Sequence, residues 1–248
     1  MFVVSSSYGN DSRALIRWAH EAGLGLLDRV VVAYCDTGWA SPTWKVEVEV
    51  GEALARSAGF EPVRIASEGM TELVRRKSGF PGNGQQFCTA WLKGFPYLEW
   101  LDRVDPERSA VTLVGKRREE SAARADTPEW VQSSEYHGER PLWHPLYAHT
   151  EAMRDALLER AGLKPLPHRS LECNPCVNAN RADILRLTPP EVARVSALEV
   201  EVGKPMFRPK RFAALGIHGV VMWARHGKNH VADVDDEGAC FVGAGCGL

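Results

Sequence analysis

The sequence predicts an α/β protein with a doubly wound, mostly parallel sheet and an irregular cysteine-containing subdomain after it. Three observations carry that reading. Apolar β-branched runs alternate with helical patterns over about the first 160 residues, as strands covered on both faces require. The chemically suggestive residues fall just after those runs, where an open parallel sheet places its ligand site. Beyond residue 165 the alternation fades and proline, glycine and cysteine rise. The expected division is therefore 1–165 for the sheet domain and 166–248 for the cysteine-containing subdomain, packed over the site.

The elements follow in order. Phe2-Val3-Val4 is a short buried strand. Asp11 or Ser12 can cap the next helix, whose apolar face is Leu15, Ile16, Ala19 and Ala22, with Gly23 as its stop. Val30 to Tyr34 is a continuous strand ending in Cys35-Asp36-Thr37-Gly38. A helix fits 42–58, a strand 62–65, and a helix 90–103. A fourth strand, 111–114, ends at Gly115, and Leu142-Trp143 suits a fifth.

Composition narrows the class. The chain has 248 residues, 44% hydrophobic, enough for one large domain or one with a small appendage. Its net charge of -2 marks neither nucleic acid nor membrane as a partner through a global field. No apolar run approaches a bilayer span, and the N-terminus enters a strand with no leader pattern, so a cytoplasmic protein is expected. Its six cysteines are then expected to be reduced, metal-bound or catalytic rather than paired.

Four stretches carry chemistry. "SSSYGNDS", residues 5–12, offers hydroxyls, backbone N–H groups and a helix start, which suit an anion; an ordinary capped turn has the same look. "CDTGW", residues 35–39, puts Asp36 at a strand end, for a ribose hydroxyl, a metal or a helix cap. "VGKRREESAARADTP", residues 114–128, crowds Lys116, Arg117, Arg118 and Arg124 after a buried strand, with Glu119 and Glu120 beside them. Arginine forks match phosphate and sulfate oxygens, although a solvated helix start could also carry these charges. Finally, Cys173-x-x-Cys176 lies with Cys88, Cys240 and Cys246 elsewhere in the chain. Zinc, an iron–sulfur cluster or a redox dithiol would each use such a set. Cys35, after a core strand, reads as a small buried hydrophobe.

Together these stretches resemble the phosphoadenosine-phosphosulfate (PAPS) reductase family of the PP-loop ATP pyrophosphatases, or adenine nucleotide alpha hydrolases. The resemblance covers roughly residues 1–185. "SSSYGNDS" resembles the modified PP-loop, "CDTGWASPTW" the aspartate-threonine-glycine motif, "GKRREESAARAD" the arginine-rich anion loop, and "PLWHPL" the segment after it. The resemblance implies an adenine nucleotide across the strand ends. Ser5, Ser7, Gly9, Asp11 and Ser12 would hold phosphate. Asp36 and Gly38 would stand near the nucleotide or a magnesium ion, and Gly115, Lys116, Arg117, Arg118 and Arg124 would meet the far phosphate or sulfate. It also implies a [4Fe–4S] cluster on Cys88, Cys173 and Cys176. The fourth ligand would be Cys240, Cys246 or a non-protein group, and zinc on the same residues is the alternative.

Two activities fit that resemblance. In the first, ATP with magnesium is cleaved between its α- and β-phosphates, a substrate oxygen is adenylated, and sulfur displaces AMP, with Asp11, Ser12 and Arg117 in catalytic roles. The acceptor would be DNA or tRNA, and a sulfur donor would be a partner. In the second, Cys246 attacks the sulfur of adenylyl sulfate or PAPS, and thioredoxin clears the product to release sulfite. A basic stretch from Lys204 to Ala232 contains Arg208, Lys210, Arg211, Arg225 and Lys228, no Asp or Glu, and Phe207, Phe212 and Trp223. It suits phosphate contacts and base stacking, or else a plain solvated face.

Overall fold

The computed structural model describes residues 1–82, 84–207 and 215–226. The chain begins β1 (Phe2–Ser5), α1 (Asn10–Glu21), α2 (Leu24–Leu27), β2 (Val30–Asp36), α3 (Trp44–Ser57), β3 (Glu61–Ala66) and α4 (Met70–Lys77). Next come α5 (Phe87–Thr89), a π-helical turn (Ala90–Gly94), α6 (Phe95–Val104), β4 (Val111–Val114), β5 (Trp130–Ser134) and β6 (Arg140–Trp143). Then follow α7 (Glu151–Arg160), α8 (Arg181–Leu185), α9 (Pro189–Val202) and α10 (Gly216–His226).

Six strands form one sheet in the order β3-β2-β1-β4-β6-β5. All neighbours pair in parallel except β5 with β6. The valine runs explain the layering. Successive residues of a strand face opposite sides. Val4, Val32 and Leu113 enter a core under α1, α3 and α7, whereas Val3 and Ala33 enter a second core with Tyr97 and Leu101 of α6. Both faces are therefore covered, and the strands can be apolar throughout. The chain runs outward from β1 through β2 to β3, then returns to place β4 on the other side of β1. That reversal opens a crevice between the β1 and β4 carboxyl ends, the switch point of this sheet.

β5 was not anticipated. It is an antiparallel edge strand, mostly exposed, and so lacks the apolar run that marks its neighbours. α4, only eight residues long, is too short to show a clear helical period in the sequence. The stretch after residue 165 is also more regular than expected, because α8, α9 and α10 follow an irregular run over 161–180. Pro189 and Pro190 do not break α9. They occupy its first turn, where no intrahelical N–H is needed, behind Thr188. Glu191 accepts from both the Thr188 N–H and its hydroxyl, each at 2.8 Å. A third apolar cluster joins α8, α9 and α10 to Trp39, Met70, Leu73 and Leu92.

Candidate functional site

The loop after β1 is fixed by its own serines. Ser5 ends the strand. The Ser6 hydroxyl accepts from the Tyr8 N–H at 3.0 Å, and the Ser7 hydroxyl from the Gly9 N–H at 3.4 Å. Tyr8 takes the left-handed conformation, φ 56°, and is fully buried. Gly51 of α3 makes room for it: a β-carbon there would stand 2.1 Å from a Tyr8 ring carbon. α1 then starts without a side-chain cap. Ser12 turns its hydroxyl to the Gly9 carbonyl at 3.2 Å, away from a capping role. The first N–H groups of α1 and the positive end of its dipole thus face the crevice side of the loop.

β4 delivers the basic loop to the same place. Gly115 passes so close to α1 that a β-carbon would meet the Asp11 carbonyl oxygen at 3.0 Å. Two residues on, the buried Arg117 places Nε 2.5 Å from Asp11 Oδ1. Its Nη1 lies 3.3 Å from Glu119, and its backbone N–H donates to Glu120 at 2.7 Å. Lys116 is half-buried; burial, then the nearby Arg124 charge, push its ammonium below the ordinary lysine range. Arg118 is exposed, donates to the Thr127 carbonyl at 2.9 Å and stacks 4.8 Å over Tyr147. Arg124 pairs with Glu120. Arg117 is thus joined directly to the first loop.

The end of β2 meets the cysteine segment. Asp36 is exposed, with Oδ1 accepting from the Gly38 N–H at 2.9 Å. Gly38 needs its lack of a side chain, since its φ is 61° and Gly69 packs against it. Thr37 donates to the Glu172 carbonyl at 2.8 Å and accepts from Cys173 Sγ at 3.3 Å. Asn174 N–H donates to the Trp39 carbonyl at 2.8 Å, and the Trp39 indole to the Pro175 carbonyl at 3.1 Å. Beside Asp36 lies an open recess of about 360 Å³, lined by Tyr34, Ser41, Trp44, Lys45 and Arg64 among others. The Trp44 indole N–H and the Tyr8 hydroxyl are buried without a hydrogen-bond partner among the described residues.

Sequence reasoning missed Lys93 and Glu172. They form an ion pair, mostly buried, that ties the π-helical turn to the cysteine segment, and both line a small cavity with Ser5, Ser6 and Cys35. Lys93 stands five places after Cys88, a spacing open to reading, but nothing local marks Glu172 as its partner.

The structure places Cys88 and Cys173 in one apolar cluster. Burial pushes the Cys173 thiol up to about 12; Lys93 opposes this, and Glu172 adds to it. Burial likewise pushes Cys35 up to about 12, in keeping with a small buried side chain. Cys176 Sγ accepts from the Asn178 N–H at 3.5 Å, and Asn178 also accepts from the Gln86 side chain at 3.3 Å. The two cysteine segments are thereby linked. Among the described residues, however, no group of three or more His, Cys, Asp or Glu is arranged to hold a metal ion. In this arrangement the Cys173 thiol is turned to the Thr37 hydroxyl. Cys240 and Cys246 lie outside the described residues.

No family model matches the chain. A curated relative, an uncharacterized 37.8 kDa protein in the gpa 5′ region of Escherichia phage 186, is 28% identical over 167 residues. The match takes in 61% of this chain and 48% of the phage protein, so the chain spans about half of that relative's length. Among this chain's structural neighbours are a PAPS reductase and a tRNA thiolase. The first is the PAPS reductase of Candida auris in a phosphate complex, with a TM-score of 0.44 and 13% identity, covering 66% of this chain and 74% of that one. The second is the U34-tRNA thiolase NcsA of Methanococcus maripaludis with its [4Fe–4S] cluster, with a TM-score of 0.48 and 15% identity, covering 97% and 78%. No described helix is long and apolar enough to cross a membrane.

Proposed function

We propose that the crevice between β1 and β4 binds ATP and activates an acceptor for sulfur transfer. The contact between Asp11 and Arg117 carries the reading, because it joins the uncapped start of α1 to the basic loop across the switch point. The triphosphate would lie on the N–H groups of α1 and the Ser7 hydroxyl, with Arg117 and Lys116 at its far end. Base and ribose would extend past Asp36 toward the recess at Trp44 and Tyr34. The acceptor oxygen attacks the α-phosphorus, the bond to the β-phosphate breaks, and its electron pair leaves on pyrophosphate. A sulfur nucleophile then displaces AMP from the acceptor carbon. Asp11 holds the Arg117 fork in place, so the leaving charge meets an oriented cation rather than a mobile one. Asp36 is a hard oxygen donor of the type that binds magnesium, which when bound neutralises phosphate charge.

The test supplies anaerobically purified protein with ATP and magnesium, and separately with adenylyl sulfate and thioredoxin. Pyrophosphate release without sulfite is expected. Sulfite formation with no pyrophosphate release overturns the reading.

A further inference from the structure

Trp91 and Phe95 present aromatic surface that neither the core nor the crevice uses. Trp91 is 37% exposed and Phe95 52%. Four residues apart on the helical run that carries the π turn, they meet edge to face with centroids 5.0 Å apart. A π turn inside a helix often marks a functional position.

Cations interleave with these rings. Arg76 stands 4.3 Å over Trp91, and Lys77 5.0 Å over Trp91 and 5.9 Å over Phe87. Lys204, the first cation of the basic stretch, lies along Gly79, just past α4. Its Nζ would be 3.7 Å from a β-carbon at that glycine. Carboxylates are present too: Glu68 pairs with Arg76, while Glu72 and Glu201 pair with Arg75. Lys77 and Lys204 make no ion pair among the described residues, although the Lys77 charge also acts on Glu68. Cys88 lies three residues before Trp91 and shares an apolar cluster with Cys173, so the patch adjoins the cysteine segments.

We propose that this surface docks single-stranded RNA. An unpaired base stacks on Phe95 and on the part of Trp91 that Arg76 and Lys77 leave open, and the neighbouring phosphates meet Lys77 and Lys204. Every base offers a π face, and a cation beside an aromatic suits a chain that alternates bases with phosphates. Protein-docking surfaces are depleted in lysine, whereas Lys77 and Lys204 both stand exposed here. RNA with unpaired loops is favoured over duplex DNA, because a duplex hides the base faces that a stack needs. That this RNA is the acceptor rests on the nucleotide-activation reading; the docking itself does not.

The experiment measures fluorescence anisotropy of a labelled RNA hairpin with an unpaired loop, against the full protein. Trp91→Ala and Phe95→Ala are each expected to weaken binding about 5- to 150-fold, the range of losing one base stack. Trp91→Phe should restore most of it. Lys77→Glu should weaken binding and lower the salt slope by about one phosphate contact or more. Trp130→Ala, at an exposed aromatic on the sheet's far edge, should leave binding unchanged. The inference is overturned if Trp91→Ala binds as wild type, or if a perfect RNA duplex binds as tightly. It is equally overturned if the patch instead holds two copies together, read as a dimer lost in Trp91→Ala. Pyrophosphate release by the same samples reads the other site. RNA binding without release fails only the proposed reaction, and release without RNA binding fails only this inference.

Discussion

Arg117 and Arg118 are neighbours with opposite surroundings. Arg117 is buried and pinned between Asp11 and Glu119; Arg118 reaches outward to Thr127 and Tyr147. A lysine in place of Arg117 keeps the charge but loses the planar fork that Asp11 orients. Arg117→Lys is expected to lower the rate of pyrophosphate release about 100-fold, the scale of losing one preorganised donor, whereas Arg118→Lys should change it only a few-fold. Comparing kcat for the two variants checks this, and equal losses would place Arg118 in the crevice as well. The sequence shows that both loops suit anions, because hydroxyls and guanidinium groups announce themselves. It does not show which arginine turns inward. That depends on Gly115 bringing the loop against α1, a contact between positions more than a hundred residues apart. The Lys93–Glu172 pair is hidden for the same reason.

At the scale of elements, α3 shapes the first loop from behind. A β-carbon at Gly51 would overlap the Tyr8 ring, which is fully buried and packed on Tyr34 with centroids 5.5 Å apart. Neither ring has room to move, so α3 or the loop must shift. Gly51→Ala is expected to destabilise the fold by about 1–3 kcal/mol, the usual range for overpacking, and to weaken ATP binding because Tyr8 sits mid-loop. Gly82→Ala, with nothing within 4 Å, should do neither. Urea denaturation and ATP titration of both variants decide the point. If Gly51→Ala loses stability but binds ATP normally, the loop does not depend on Tyr8. The strands themselves were legible where both faces are buried, since β1, β2 and β4 need apolar residues at consecutive positions. β5 has one paired edge and little burial, so solvent leaves its sequence unconstrained. α9 was obscured by its two prolines, which ordinarily signal a break but here occupy the one turn that tolerates them.

The molecule as a whole holds the β5–β6 hairpin against the sheet through buried polar groups, and this makes its stability depend on pH. His137, in the turn between the two strands, is 3% exposed and shares a 2.8 Å hydrogen bond through Nδ1 with Ser134. Burial, with the Lys116 charge and His144 adding to it, pushes its pKa down to about 4. Burial holds His144 below the ordinary range as well, against a hydrogen bond to the Pro128 carbonyl. A free histidine in the unfolded chain takes its proton near pH 6.5. Above that value neither state is protonated and the contribution to stability is complete. As pH falls below it the unfolded chain binds protons that folded His137 refuses, so unfolding is favoured until the folded site titrates near its own pKa. From about pH 7 to about pH 5 this single group is expected to remove about 2 kcal/mol, with His144 acting in the same direction. Buried carboxylates such as Asp105, held low by Arg140 and backbone donors against the cost of their burial, lose their contribution only at more acid pH. The two effects therefore occupy separate windows. Urea midpoints across this range should fall for the wild type and fall much less in His137→Gln. A wild-type midpoint that stays level between those pH values would mean that His137 is open to solvent, and with it the hairpin that closes this edge of the sheet.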